Sequence, residues 1–459
     1  TVTLDGVLFS DDSRHFISSL TALGFDVLVE EEKRRVTVKG ESGTIPKKEA
    51  EIDVGSAGTA ARFLTAMLGM SDGSYVIQAS GQMKKRPMKD LFVLLEQTGA
   101  EITYLEREGF LPVKITGQRK DQKLTVRLDI SRSTQFLSAM LLISPMLPQG
   151  LHIQITSEKT DGSYVRITRK MLEEAGVSVA FDGRNYETKA GASYQKKHYI
   201  IEPDVSAACY FYAMVPLLKT SVIVKGVQEK SLQGDIQFLN VLEQMGCQKE
   251  ETPEGIRLTM KEPEMHGVDI SMKDFSDQTM TLAAIAPFAD SATRIHNIGH
   301  IRFQESDRIR AILTELQRMG VCCEEVPEID GVQIFPWEKV PEDHIVAKGE
   351  STIEGESTIE GESTIEGESA IESKSATESK SAAESEGATE SESATGSKSV
   401  AERESIIERG NITIETYDDH RMAMAFTLPG LKTGNIVIKN PGCCRKTFEN
   451  YFSVINSLY

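Results

Sequence analysis

The stretch ILTELQRMGVCCEEV, residues 312–326, reads as the end of an amphipathic helix, a glycine stop at Gly320 and a short β-like run. Ile309, Ile312, Leu313 and Leu316 fall at helical spacing before that glycine, so one helix face is apolar. Glycine ends a helix at little cost because it reaches the left-handed backbone region. Four other stretches repeat the pattern: FISSLTALGFDVLV (16–29), LFVLLEQTGAEITYL (91–105), TRKMLEEAGVSVAF (168–181) and FLNVLEQMGCQKE (238–250). The glycines are Gly24, Gly99, Gly176, Gly246 and Gly320, with spacings of 75, 77, 70 and 74 residues. Helix-to-strand units at one period predict a repeated α/β architecture.

At that period a sixth unit ends near residue 395, where GESTIE and its degenerating copies stand instead. Ten copies of a six-residue repeat fill residues 349–408. They are rich in Glu, Ser, Thr and Ala and too poor in large apolar residues to bury a core. We therefore expect a disordered or loosely helical surface insertion over 349–410. The repeat reads as a neutral expansion, with an interaction role as the alternative. With the tract set aside, the sixth unit falls near residue 455, at FENYFSVINSLY. It has its helix but no following strand, which the beginning of the chain could supply. Thr1 starts almost directly on the first unit, and no initiator Met is present. An N-terminal piece is therefore expected to be missing.

A chain of 459 residues is long enough for two or three domains. With 39% apolar and 26% charged residues, it has a soluble globular composition. No apolar run approaches a membrane span. The opening TVTLDGVLFSDD carries neither a basic leader nor an apolar signal core. Six cysteines, with neither zinc spacing nor a secreted scaffold's framework, point to reduced thiols in the cytoplasm. Of the net charge of −18, residues 349–408 carry −12, from 16 Glu against three Lys and one Arg. The remainder is about −6, so no polyanion-binding surface, and hence no nucleic-acid partner, is expected. A local basic pocket stays open.

YDDHRMAMAF, 417–426, sets Asp418, Asp419, His420 and Arg421 directly before an apolar helix-like run, which suggests charges at the mouth of something buried. Four further clusters read as anion sites, each with an ordinary alternative. GSAGTAARFL (55–64) can aim backbone N–H groups at an anion or form a plain tight turn. QMKKRPMKDL (82–91) sets Lys84, Lys85 and Arg86 ahead of a helix, or is a solvated basic turn. SRSTQFLSAML (131–141) offers Ser133, Thr134 and Gln135 at a helix start, where capping alone also explains the hydroxyls. RFQESDRIRAIL (302–313) places Arg302, Glu305, Asp307 and Arg308 around a helix start, as capping and salt bridges also would. Asp277, ahead of an apolar run, is an N-cap or a partly desolvated base. Lys446, after a Pro-Gly turn, is ordinarily exposed. Metal ligation by Asp418, Asp419 and His420 is disfavoured, because sequence neighbours rarely all point inward; no metal is expected.

In this order the segments GSAGTAARFL, KKRPMKDL, STQFLSAML, PDVSAACYF, QGDIQFLNVLEQMG, QESDRI, TYDDHRMAMAF and PGCCRKTF resemble the EPSP synthase (3-phosphoshikimate 1-carboxyvinyltransferase) family. The likeness covers nearly the whole chain outside 349–410. The sibling UDP-N-acetylglucosamine enolpyruvyl transferases share the fold, but DDHRMAM and CRKTF favour the shikimate enzymes. The resemblance implies a two-domain inside-out α/β barrel of six βαβαββ units, with lobes at 1–201 and 202–459 and a cleft between them. It implies transfer of the enolpyruvyl group of phosphoenolpyruvate to the 5-hydroxyl of shikimate 3-phosphate, in chorismate and aromatic amino acid biosynthesis. The enzyme would be a cytoplasmic monomer without cofactor, acting on two small molecules.

By the same resemblance Ser56, Gly58, Arg86, Gln135, Arg308, Arg421 and Lys446 bind phosphoenolpyruvate. Ser133, Thr134, Gln135, Asp161, Tyr164, Asp277, His300 and Gln304 bind shikimate 3-phosphate. Asp277 takes the hydroxyl proton, Glu305 delivers a proton to the methylene, and Lys446 assists the departing phosphate. His420 and Asp419 hold Arg421. The chain departs from the family pattern at Ser56 (usually Asn), Gln304 (usually Lys), His300 (usually Asn) and Asp161 (usually Ser), and the lysine-bearing PGSKS segment has no counterpart. These departures put substrate affinity in question and keep open a truncated or non-catalytic relative that retains the fold and binds a ligand or partner.

Overall fold

The computed structural model describes residues 1–118, 121–337 and 410–458. The low-complexity insertion expected at 349–410 therefore lies, apart from residue 410, outside the described residues. The repeat glycines Gly24, Gly99, Gly176, Gly246 and Gly320 all have φ between 83° and 104°. They follow helices Asp11–Ala22, Lys89–Gln97, Ser163–Glu174, Phe238–Gln244 and Arg308–Arg318. After each glycine comes an edge strand: Asp26–Glu30, Glu101–Tyr104, Val179–Phe181, Cys247–Thr252 and Cys323–Val326. Each of these pairs antiparallel with the strand that follows it.

One topology recurs. Glu49–Asp53 runs parallel to Gly73–Gln78, with helix Gly58–Gly69 making the crossover that a parallel pair requires. Gly73–Gln78 then pairs antiparallel with Val113–Gly117, and that with Glu101–Tyr104. The sheets built from 124–188 and from 269–334 have the same order. In the first sheet His198–Ile200 takes the parallel place beside Val2–Asp5, so the chain returns to its first strand after three units. The remaining described strands form a three-stranded sheet at 221–260 and the parallel pair Ile412–Ile414 and Ile436–Ile438.

A second set of helices differs from those that end at the glycines. Gly58–Gly69, Gln135–Ile143, Val205–Leu218, Thr279–Ile285 and His420–Thr433 are buried around most of their circumference. A helix apolar all round belongs in a core. Gly58–Gly69 packs on Gln135–Ile143, while Val205–Leu218, Thr279–Ile285 and His420–Thr433 pack on one another. Strands such as Leu124–Leu128 alternate buried and exposed residues, one face on the helices and one in solvent. Helices inside and sheets outside is the inside-out arrangement that the family resemblance implied. Buried apolar residues form two clusters, one between Leu23 and Tyr186, the other between Val205 and Ile455. Among the described residues no helix is long and apolar enough to cross a membrane.

Candidate active site

Five helices, three of them from the buried set, start at a common place. A cavity of about 540 Å³ is lined by Gly58 and Thr59, Gln135, Ser163 and Tyr164, Arg308, and His420 and Arg421. These residues open helices Gly58–Gly69, Gln135–Ile143, Ser163–Glu174, Arg308–Arg318 and His420–Thr433. Helix N-termini carry partial positive charge and unpaired N–H groups, so their convergence favours an anionic ligand.

Asp277 sits in the turn Ser276–Gln278, ahead of helix Thr279–Ile285. It does not cap that helix. Its Oδ1 accepts from Arg308 Nη1 at 3.0 Å. Its Oδ2 accepts from Arg421 Nη2 at 3.0 Å and from the Tyr164 hydroxyl at 2.8 Å. Burial pushes this carboxyl up, but Arg421 and Arg308 more than offset it and hold it well below the usual carboxylate range. Arg308, 2% exposed, also donates from Nε to Asp419 Oδ2 at 2.7 Å and from Nη2 to Asp419 Oδ1 at 3.2 Å. Gln304 Oε1 accepts from the same guanidinium.

Asp419 caps helix His420–Thr433, its Oδ1 accepting from the Arg421 N–H at 3.0 Å. This corrects the expected pairing: the side chain of Asp419 holds Arg308, and that of Arg421 is held by Asp277. The reason is local. Tyr417 and Asp418 both have positive φ, and that tight bend aims Asp419 back over its own helix start, where Arg308 arrives. Asp418 turns away to Asn440, whose Nδ2 lies 2.5 Å from its Oδ1. His420 Nδ1 lies 2.9 Å from Glu305 Oε2. Glu305 Oε1 accepts from Lys446, which is only 7% exposed despite its Pro-Gly turn. Burial works against the Glu305 charge, yet His420, and then Lys446 and Arg308, hold the carboxyl well below its ordinary value. Glu305, Asp419 and His420 bring ligand-type atoms within 4.8 Å of one another. Arg308 and Lys446 already neutralise these carboxylates, which suits an internal ion-pair network better than a metal.

Arg62 and Arg86 form a second basic wall. A Cβ placed on Gly58 would stand 2.5 Å from Arg86 Nη1 and 2.6 Å from Arg62 Nη1, so only glycine lets both guanidiniums rest there. Each has a buried Nε without a hydrogen-bond partner. Burial works against the charge of both. Because a guanidinium stays protonated in proteins, an anion is the natural relief.

Gly58, Arg86, Ser133, Thr134, Gln135, Tyr164, Asp277, His300, Gln304, Glu305, Arg308, Arg421 and Lys446 all line the one cavity. Ser56 and Asp161 do not; Asp161 accepts from the Tyr186 hydroxyl at 3.1 Å and faces Arg166. His300 Nε2 meets Ser276 Oγ at 2.8 Å. Arg62, Asp12, Lys159, Lys273 and Asp235 also line the cavity and were not singled out in the sequence. Arg62 stood inside the glycine motif and could have been named. Asp12 is indistinguishable in sequence from an acidic first-turn residue of helix Asp11–Ala22. Asp235 lies in an unremarkable QGD turn.

Asp235 makes a pH-dependent prediction. It is buried, accepting from Ser206 Oγ at 2.5 Å and Gln278 Nε2 at 3.3 Å. Burial, and then the neighbouring charge of Asp277, push it up to about 6. The native state then binds a proton between pH about 4 and 6 that the unfolded chain has released, so this group's contribution falls as pH rises through that window. Asp235→Asn removes the dependence. Chemical denaturation at pH 4 and pH 7 should show the variant gaining about 2 kcal/mol on the wild type between the two. A constant difference across the window would overturn the assignment.

The EPSP synthase (3-phosphoshikimate 1-carboxyvinyltransferase) family model matches residues 1–352 and 356–455. The 3-phosphoshikimate 1-carboxyvinyltransferase of Nostoc sp. is 36% identical over 452 residues, covering 98% of this chain and 89% of its own length. That of Psychromonas ingrahamii is 31% identical over 466 residues, covering 100% and 91%. In fold, a solved EPSP synthase of Acinetobacter baumannii aligns with TM-score 0.68 at 20% identity, over 99% of this chain and 89% of that one. The enolpyruvyl transferase NikO of Streptomyces tendae aligns with TM-score 0.62 at 11% identity, over 100% and 88%. With sequence relatives matched along nearly their whole length and the same inside-out fold, this chain belongs to the EPSP synthase family.

Proposed function

We propose that the chain transfers the enolpyruvyl group of phosphoenolpyruvate to the 5-hydroxyl of shikimate 3-phosphate, releasing phosphate, as a step of aromatic amino acid biosynthesis. One observation carries the reading: a cavity of paired guanidiniums holds two separate proton-transfer groups, Asp277 and the Lys446–Glu305–His420 set. Residues 1–201 and 202–459 act as two lobes around this cavity. The enzyme works in the cytoplasm as a monomer, without nucleic acid or membrane.

Without substrate, Asp277 is a weak base because Arg308 and Arg421 stabilise its charge. The carboxylate and phosphate of phosphoenolpyruvate compete for those guanidiniums, with Arg86 as third partner, since the planar fork suits either group. As they turn to the ligand, Asp277 becomes basic enough to take the proton of the attacking hydroxyl. Glu305 enters the reaction ionised. The proton that reaches the enolpyruvyl methylene is therefore supplied across the Lys446–Glu305 hydrogen bond. Addition gives a tetrahedral intermediate. In the elimination the methyl group returns a proton to the Lys446–Glu305 pair as the carbon–carbon double bond re-forms and the C–O bond to phosphate breaks. The departing phosphate takes the proton held by Asp277, and the helix N-termini stabilise its charge.

The test is phosphate release on mixing the protein with shikimate 3-phosphate and phosphoenolpyruvate, alongside calorimetric titration of each substrate. Turnover that needs both substrates supports the reading. Tight binding of shikimate 3-phosphate with no phosphate release moves the chain to a non-catalytic ligand binder. Binding of neither substrate sinks the proposal.

A further inference from the structure

Two ammonium groups on the cavity wall have no role in the chemistry above. Lys159 follows strand Leu151–Ile155, which belongs to the first core. Lys273 follows strand Asp269–Ser271, beside the second. Among the described residues neither ammonium has an ion pair or a hydrogen bond. The nearby acids are engaged elsewhere. Arg166 faces both Asp274 and Asp161 at 3.5 Å, and Asp161 also accepts from Tyr186.

Lys159 is half-buried, and burial and then the charge of Lys273 lower its pKa. His300 on the cavity wall is likewise lowered, by burial and then by Lys159. Asp274 and Asp161 offset this positive charge only in part, since Arg166 shares both. Hydrogen-bond donors surround it. A Cβ on Gly162 would lie 3.1 Å from Thr134 Cγ2 and 3.7 Å from Lys159 Cε, so the bare glycine lets the threonine and the lysine stem close on one point. Ser133 and Thr134 stand just before helix Gln135–Ile143, which starts at the cavity, and Ser133 Oγ accepts from the Gln135 N–H at 3.3 Å while its own hydroxyl can still donate. Two cations, two hydroxyls and a helix N-terminus suit a phosphate monoester dianion.

Resting on the proposed function, we propose that Lys159 and Lys273, with Ser133 and Thr134, hold the phosphate of the phosphorylated ring substrate and replace the cation that Gln304 does not supply. Gln304 is neutral, and its Oε1 is taken by Arg308. The two lysines come from opposite cores, so one phosphate bridges both.

Calorimetric titration with shikimate 3-phosphate, and with shikimate to millimolar concentrations, separates phosphate recognition from ring recognition. Lys159→Met and Lys273→Met should each weaken shikimate 3-phosphate about 10- to 100-fold, as expected for losing one charged hydrogen bond. Shikimate should shift less than about twofold. Lys159→Arg should restore most of the affinity. Lys170→Met, on the exposed side of helix Ser163–Glu174, is the control. Equal losses for both ligands would mean a structural role and overturn the assignment. If the wild type binds shikimate 3-phosphate and both methionine variants bind it equally well, the lysine site alone fails. If the wild type binds no shikimate 3-phosphate, the proposed function fails with it. Lys273 is exposed, so its variant tests the idea even if Lys159→Met folds poorly.

Discussion

Arg308→Met is expected to lower the unfolding free energy by about 3–5 kcal/mol, the cost of stripping one partner from a buried ion pair. Arg308 is 2% exposed and Asp419 0%, and the two are joined by bonds of 2.7 and 3.2 Å. Methionine matches the length of the arginine stem, so little packing is lost. What remains is a fully buried carboxylate with Ser306 Oγ at 3.1 Å, the Arg421 N–H at 3.0 Å and His420 Nδ1 at 3.9 Å to compensate it. Guanidinium chloride unfolding reads the effect. Adding Asp419→Asn should recover a large part of it, because the amide is neutral and its oxygen still caps the helix. A loss below about 1 kcal/mol in the single variant, or no recovery in the double, would mean that water reaches the pair.

Asp277→Asn should reduce turnover by about 10²–10⁴-fold, the range for loss of a general base. Phosphate release at saturating substrates measures it. A second readout distinguishes this from disruption of the site. Asp277 now occupies one N–H of Arg308 and one of Arg421, at 3.0 Å each. Without its charge those guanidiniums are freer to meet an anion. Phosphoenolpyruvate should therefore bind the variant at least as tightly as the wild type while turnover falls. Turnover within threefold of wild type would remove Asp277 from the proton-transfer step. A parallel loss of phosphoenolpyruvate affinity would instead make it a positioning residue for the arginines.

Much of the architecture was legible because it is written in local signals. Gly320 and its four counterparts announce helix ends, and each takes positive φ where the helix gives way to an edge strand. The clusters at 55–64, 131–141 and 302–313 were read as anion sites or as ordinary caps and turns, and 417–426 as charges at the mouth of something buried. These residues do start helices, and the same starts meet at the cavity. Asp307 caps its helix through the Arg310 N–H at 3.1 Å, while Arg308 beside it points into the site. Capping logic misjudged Asp277, which faces two arginines and caps nothing. Turn logic misjudged Lys446, which is buried against Glu305. Lys159 and Lys273 gave no signal, because isolated lysines after strands look like solvated ones.

The sequence by itself determined the repeat, its glycine helix stops and the β-like run that follows each stop. Those properties depend on residues a few positions apart. Only the tertiary structure decided which charge each charge meets. Arg308 and Asp419 are 111 residues apart, Arg421 and Asp277 144, and Lys446 and Glu305 141. Pairings at such distances follow from how buried helices converge. Burial then raises or lowers each group's affinity for a proton and makes the exchange of one partner for a substrate anion worth free energy.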